Sequence, residues 1–230
     1  MIPRQIVPHV YQVSFGMVSA FILDADELVI IDAGIPGSEK RILQALSELG
    51  RRPGAVQGLL VTHCHGDHTG GLAALQAATG APVYIHPADA ALVREGRSTR
   101  GFQPAPGLLP ALLYRLAGGE DERRIQPVQV DYEINAGETL PLNGVVAIHT
   151  PGHCAGHLAY LWPEQGGVLF AGDIAANMLR LGPSPFYEDF AQGMKDLQRV
   201  AHMEFTTACF AHGKAIPNGA NRHFEKKWGG

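Results

Sequence analysis

The chain has 230 residues, of which 46% are hydrophobic and 17% are charged, with a formal net charge of −4. This length suits one α/β domain with a full core, and the charge balance argues against a general nucleic-acid binder. The three cysteines do not suggest a disulfide framework. No stretch approaches the roughly 20 apolar residues of a membrane span, and the first residues lack the apolar run of a secretion signal, so we expect a cytoplasmic protein.

Apolar and β-branched runs alternate with helical patterns along the chain. They predict strands at 10–15, 18–23, 28–31 and 56–61, a helix from Ser38 to Gly50, a helix over 69–79, strands at 83–85, 145–148, 158–162 and 168–171, a helix near 186–202 and a strand at 207–210. Strands followed by helices in both halves indicate an α/β fold.

Residues 94–131 break this rhythm. Prolines flank a leucine-rich patch whose spacing predicts a short amphipathic helix, and the patch consists of Leu108, Leu109, Leu112, Leu113 and Leu116. Three uses are open: packing on the core, a lid over a site, or a homodimer surface. The long insertion favours a lid over 94–131. We expect the segments at 96–131 and 177–188 to select the substrate.

The densest polar motif directly follows the strand at 56–61 and reads Thr-His-Cys-His-Gly-Asp-His over residues 62–68. His63 and His65 are two residues apart, so they lie on the same side of an extended chain and can chelate one ion. Asp67 and His68 follow a turn at Gly66 and can face a second ion. Imidazole and carboxylate suit zinc, iron or manganese. Cys64 faces the other way, and we expect it and Cys154 to pack.

Three further candidates stand where predicted strands end, namely His153, Asp173 and His212. A polar loop would explain the first motif alone, and an ordinary loop or core residue would explain each of these three alone. Their shared placement instead indicates one site, because α/β scaffolds build sites from several strand ends.

Seven of these residues resemble, in order and context, the metal ligands of the metallo-β-lactamase superfamily: His63, His65, Asp67, His68, His153, Asp173 and His212. Residues 31–34 resemble the early aspartate motif of that family, which contains Asp32. Residues 150–153 and the pair Gly156-His157 are similar to the glyoxalase II-like and lactonase-like branch. The resemblance extends over about 10–212.

The resemblance implies an αββα sandwich of two mixed β-sheets with outer helices, and a site for two divalent ions, zinc first with iron or manganese as alternatives. It assigns His63, His65 and His153 to one ion, assigns Asp67, His68 and His212 to the other, and makes Asp173 the bridge. It implies hydrolysis of a small ester, lactone or thioester by a bridging hydroxide, with Asp67 as the catalytic residue that orients it. Asp32, and in second place His157, would support the ligands.

Two other reactions occur among relatives, persulfide oxidation by a mononuclear iron dioxygenase and β-lactam hydrolysis. An aspartate at 173, where true β-lactamases have cysteine or serine, argues against the second. Classical glyoxalase II carries a helical domain for glutathione, and the short stretch after His212 is a poor substitute. A metal-binding or redox scaffold without turnover is a third alternative. The expected partner is a small-molecule substrate, with no nucleic acid or membrane.

Overall fold

The computed structural model describes residues 3–116 and 124–230, apart from the side chains of Leu109 and Leu116. Its strands are β1 (Arg4–Val7), β2 (Val10–Ser14), β3 (Ser19–Asp24), β4 (Leu28–Ile31), β5 (Val56–Leu60), β6 (Val83–Ile85), β7 (Gln103–Pro104), β8 (Tyr132–Glu133), β9 (Val146–His149), β10 (Leu158–Trp162), β11 (Val168–Phe170), β12 (Ala175–Asn177), β13 (Leu181–Pro183), β14 (Phe186–Tyr187) and β15 (Thr207–Cys209). Its helices are α1 (Glu39–Glu48), α2 (Gly66–Thr69), α3 (Leu72–Thr79), α4 (Pro87–Arg94), α5 (Leu108–Leu116), α6 (Phe190–Ala201) and α7 (Ala220–Trp228), with a 3-10 turn at Pro53–Ala55.

Two mixed sheets form the frame. The larger has the order β1-β2-β3-β4-β5-β6-β8, antiparallel from β1 to β4 and parallel from β4 onward. The smaller has the order β15-β11-β10-β9, with β11 and β15 parallel. Two further ribbons pair β12 with β13 and β7 with β14.

Alternation along the strands separates the core into layers. In β3, Phe21 and Leu23 belong to the cluster between the two sheets, whereas Ala20 and Ile22 belong to the cluster under α1 and α3. The smaller sheet likewise places Tyr160 inward, and Ala159 outward against α6 and α7. Because strand side chains alternate in direction, each sheet presents an apolar face on both sides. The predicted αββα sandwich is confirmed.

Most predicted elements are present, with boundary shifts that have local causes. The helix expected over 69–79 is divided into α2 and α3, and Gly80 ends the latter in the left-handed conformation. The helix expected from 186 begins only at Phe190, since Asp189 caps it through Gln192 N and β14 pairs with β7. The predictions did not include β1, α4 or α7.

The predicted leucine-rich helix is confirmed as α5. Leu108, Leu112 and Leu113 are 93%, 53% and 38% exposed, which argues against core packing for these three. The side chains of Leu109 and Leu116, and residues 117–123 of the expected 94–131 lid, lie outside the described residues. Among the described helices, none is long and apolar enough to cross a membrane.

Candidate metal centre

The carboxyl ends of strands from both sheets bring the seven candidate ligands together. His63 and His65 follow β5, Asp173 follows β11 and His212 follows β15. Asp67 and His68 lie on α2, whose first turn is held by His68 N donating to His65 O at 2.9 Å. Gly66 therefore begins a short helix rather than forming the expected turn. The rings of His63 and His68 lie 4.0 Å apart between their centroids, so α2 brings the second part of the motif close to the first.

Three histidines form the first set: His63, His65 and His153. The Nδ1 atom of His65 lies 3.0 Å from His63 Nε2 and 3.0 Å from His153 Nε2. Burial, together with the neighbouring His153, lowers the pKa of His65 to about 3, and burial also lowers the pKa of His63 and His153. Three neutral imidazoles whose nitrogen atoms converge in this way suit a divalent ion.

Asp67, His68 and His212 form the second set. The Oδ2 atom of Asp67 lies 3.3 Å from His212 Nε2 and 3.8 Å from His68 Nε2. Burial opposes protonation of His212, but Asp173 and Asp67 raise its pKa to about 10. Burial also lowers the pKa of His68, but the nearby carboxylates have the larger effect. Those of Asp32, Asp173 and Asp67 raise the pKa of His68 well above its ordinary value. An ion entering this set replaces protons.

Asp173 lies between the two sets. Its Oδ2 atom is 3.7 Å from His153 Nε2 and 3.3 Å from His212 Nε2, and its Oδ1 atom is 3.5 Å from His68 Nε2. Among the described residues, neither Oδ1 of Asp173 nor Nε2 of His68 has a hydrogen-bond partner, although both atoms are buried. Burial raises the pKa of Asp173, but His212 and His68 hold it well below its ordinary range. Buried polar atoms without protein partners are suited to hold a cation.

Asp32 supports this arrangement through hydrogen bonds to Thr62 and His68. It is buried, in the left-handed conformation with φ of 61°, and accepts from Thr62 N at 2.8 Å and from Thr62 Oγ1 at 2.8 Å. Its Oδ2 atom also lies 2.9 Å from His68 Nδ1. These contacts do not fit an exposed turn carboxylate. His157 accepts from Asp173 N at 2.9 Å and so orients the residue between the sets.

Backbone carbonyls hold the outer nitrogen atoms of two histidines. His153 Nδ1 donates to Phe186 O at 2.8 Å, and His212 Nδ1 donates to Met17 O at 2.8 Å. Because the carbonyl holds a proton on Nδ1, Nε2 is the atom of the neutral imidazole that offers a lone pair to an ion.

Cys64 and Cys154 lie on the side away from the histidine set, where both are buried beside Asp89. Cys64 packs in the core under the helices of the larger sheet, as expected. The sequence did not indicate a role for Asp89. This residue lies in α4, which was not predicted, and its partners are distant in sequence.

An aromatic wall, defined as Phe102, Tyr114 and Phe186, flanks the first set. Phe102 lies 5.5 Å from the ring of His65 and 5.1 Å from that of Phe186, and Tyr114 lies 5.9 Å from Phe102. Beside the wall is a hollow of about 300 Å³ lined by Arg100, Gly101, Phe102, Gln103 and Glu188. A larger cavity of about 420 Å³ lies on the His212 side, where Met17 and Gly213 are among its lining residues. The wall joins segments about 70 residues apart, so no local pattern pointed to it.

Residues 13–212 match the profile of a family described as the metallo-beta-lactamase superfamily. A protein of Bacillus subtilis (strain 168), uncharacterized protein YobT, is 30% identical over 213 residues, which cover 86% of this chain and 84% of that protein. The hydroxyacylglutathione hydrolase of Albidiferax ferrireducens is 31% identical over 199 residues, which cover 85% of this chain. The chain spans only 61% of the length of that relative.

Solved structures share the fold. MEM-A1, a subclass B3 metallo-beta-lactamase from a soil metagenome library, superposes with a TM-score of 0.77 over 100% of this chain and 93% of its own. A metallo-beta-lactamase of Cronobacter sakazakii gives 0.70 over 92% of this chain and 78% of its own, at 26% identity. Identity to MEM-A1 is 22%, so that likeness concerns the fold alone.

Proposed function

The chain belongs to the metallo-beta-lactamase superfamily, and from that premise we propose that it is a dinuclear metal-dependent hydrolase of a small ester, lactone or thioester. The observation that carries the proposal is the position of Asp173, with one oxygen atom 3.7 Å from His153 Nε2 and 3.3 Å from His212 Nε2. A carboxylate placed in this way suits two ions held side by side.

His63, His65 and His153 would hold one ion, Asp67, His68 and His212 the other, and Asp173 both. Nitrogen and oxygen donors without thiolate suit zinc, with iron or manganese as alternatives. When bound, two such ions supply water activated at neutral pH and Lewis acidity toward a carbonyl oxygen. The buried atoms without partners in Asp173 and His68 support this fit.

Asp67 is the proposed catalytic residue of the chain. Its side chain is about one-third exposed, unlike that of Asp173, so it faces the side from which substrate and water arrive. His68 and His212 hold the pKa of Asp67 well below its ordinary value, although burial of the carboxylate opposes this. An ionised carboxylate there can orient a water molecule and accept its proton.

The aromatic wall indicates where the non-reacting part of the substrate lies. Phe102 and Phe186 are half-buried, and Phe102 contacts the ligand His65 directly. An apolar acyl or ring group placed against these side chains would leave its carbonyl carbon at the ions. Apolar lining with a few polar groups is typical of small-molecule sites.

Hydrolysis is favoured over persulfide oxidation because a mononuclear iron site needs only one of the two ligand sets. The chain spans about 60% of the length of the hydroxyacylglutathione hydrolases that it matches.

Elemental analysis combined with a substrate panel tests the proposal. Two divalent ions per chain, together with hydrolysis of an aryl ester, a γ-lactone or an acyl thioester that stops on chelation, is the expected result. One iron per chain with oxygen consumption on a persulfide would replace the proposal by the dioxygenase reaction. Turnover confined to a chromogenic β-lactam would contradict the substrate class.

A further inference from the structure

We propose that Asp89 is a positioning residue for the three-histidine set. Together with Arg100 it forms an ionic clamp, the Asp89–Arg100 clamp, whose carboxylate is buried and which fixes the loop that carries His63 and His65 against the loop that carries His153. The inference rests on the proposed function only in assuming that this set binds a metal ion.

The first contact of the clamp is with the loop after β5. Asp89 lies in the first turn of α4, is fully buried, and accepts from Cys64 N at 2.8 Å through Oδ2. Cys64 stands between His63 and His65, so a hydrogen bond at its amide fixes the backbone of both ligands. A backbone N–H bonded to a carboxylate is a charge-assisted hydrogen bond, stronger than a neutral one.

The second contact is with the loop after β9. Cys154, next to His153, donates from Sγ to the same Oδ2 atom at 3.4 Å. The backbone of Gly156 packs so closely on Asp89 that a Cβ atom there would lie 2.3 Å from the carboxyl carbon. A glycine is required for this approach, and the two loops therefore meet on one carboxylate.

Arg100 completes the clamp from the segment that precedes the aromatic wall. Its Nη1 atom donates to Asp89 Oδ1 at 2.8 Å, and its guanidinium group also contacts Ala88 O. It lies 3.6 Å from Glu188, which accepts from Ala155 N at 2.8 Å. The loop that contains His153 is thus held from two sides. Arg100 also anchors the chain two residues before Phe102, which contacts His65.

The charges decide between a clamp and a third metal site. Atoms of Cys64, Asp89 and Cys154 lie close enough together to hold an ion. Both oxygen atoms of Asp89 are already engaged, one of them by the Arg100 cation, which supplies the countercharge that a buried carboxylate needs. The group is therefore complete without an ion.

The direct contacts of Asp89 with the ligand loops lie next to ligands of the first set. Asp89 reaches residues beside His63, His65 and His153, whereas Asp32 contacts His68 of the second set. This division makes the proposal testable, because loss of the clamp should weaken one ion and spare the other.

Cobalt titration of single-set proteins measures the effect without any substrate. His212→Ala leaves the three-histidine set, and His153→Ala leaves the second set. Adding Asp89→Asn or Arg100→Met should lower cobalt affinity about tenfold or more in the His212→Ala protein, as expected for supports of ligands. The same changes should leave affinity in the His153→Ala protein nearly unaltered. Equal losses in both proteins, or no loss in the first, would overturn the proposal.

Three further variants keep the result interpretable. Gly156→Ala should give the same selective loss, because its Cβ displaces Asp89, and it replaces Asp89→Asn if that variant does not fold. Arg100→Lys, which keeps the charge, should restore part of the affinity lost in Arg100→Met. Arg94→Met breaks an exposed ion pair of 2.6 Å to Glu133 and should leave both sets unchanged. If the clamp variants instead lost cobalt affinity only in the second set, which contains His68, the clamp would be contradicted.

The number of metal ions bound per chain is also measured for the unmodified protein. A third bound ion that Asp89→Asn removes would show a metal site in place of the clamp. Failure of the full chain to hydrolyse any ester, lactone or thioester would refute the proposed function but leave a selective cobalt loss standing, so the two failures are distinguishable.

Discussion

The Nδ1 atom of His68 lies 2.9 Å from Oδ2 of Asp32, and both side chains are buried. The carboxylate fixes the imidazole orientation and leaves Nε2 facing Asp67 and Asp173. Asp32 also accepts from Thr62 N, so one side chain joins the end of β4 to the metal motif after β5.

Asp32→Asn should therefore weaken the second set more than the first. The amide keeps an acceptor for Thr62 but cannot supply the charge that His68 faces, and support of this kind typically contributes about 10–100-fold to metal affinity. We expect the free energy of unfolding to fall by about 1–3 kcal/mol, as for a weakened buried hydrogen bond. Cobalt titration of the two single-set proteins and urea unfolding measure both effects; equal weakening of the two sets would contradict the assignment.

Asp173→Ala should abolish turnover and reduce the ions retained after dialysis from two to about one, since Asp173 is the group proposed to contact both. The fold should persist, because its neighbours His153 and His212 are held by other contacts. Elemental analysis and circular dichroism provide the readouts. Asp26→Ala, in the exposed turn between β3 and β4, is the control and should behave as the unmodified chain. Two tightly held ions and normal turnover in Asp173→Ala would show that the residue does not bridge.

Metal binding should depend on pH in the second set and not in the first. The pKa of His65 is about 3, so this imidazole is already neutral at pH 6, and burial shifts the pKa values of His63 and His153 in the same direction. The pKa of His212 is about 10, so it must lose a proton when an ion binds. Between pH 6 and 8, affinity in the His153→Ala protein should rise about tenfold per pH unit for each proton displaced. Calorimetry in buffers of different ionisation enthalpy counts those protons, and a flat profile would contradict the assignment.

Cys64→Ala should be far milder than Asp89→Asn. The amide of Cys64, and not its thiol, contacts Asp89 at 2.8 Å, so the substitution keeps that hydrogen bond. Removing one buried sulfur atom from a packed core should cost about 1–2 kcal/mol of unfolding free energy. Metal content by elemental analysis should match that of the unmodified chain, and loss of metal would mean that the thiol faces the ions.

Replacing Leu112 and Leu113 with serine tests whether α5 covers the site. Both side chains are partly exposed, so the melting temperature should change little. If α5 is a lid, kcat/KM should fall most for long acyl chains, because each buried methylene contributes about 0.8 kcal/mol.

Other outcomes of the leucine test have separate meanings. A uniform loss across chain lengths with a lowered melting temperature would assign the leucines to the core. A change from dimer to monomer with unchanged selectivity would assign them to an interface.

Periodicity and strand-end motifs, read along the chain, determined much of this protein. Alternation in the strands and the apolar face of α1 are local patterns, and they predicted the two-layered sheet arrangement once the family resemblance was added. The seven candidate ligands were evident because each follows an apolar run, and strand ends are where an α/β scaffold places its functional groups. Asp32 was identified through the family resemblance of residues 31–34, and in the structure it directly follows β4.

Contacts between distant segments decided the rest. Asp89 and Arg100 carry no motif, and their roles arise only when α4 packs against the loops around Cys64 and Cys154. Phe102 and Phe186 meet because β7 pairs with β14, a pairing of two short strands that no sequence pattern specifies. Such contacts depend on the relative placement of whole elements, which is set by the packing of the complete core, whereas a sequence pattern reports only on the few residues around it.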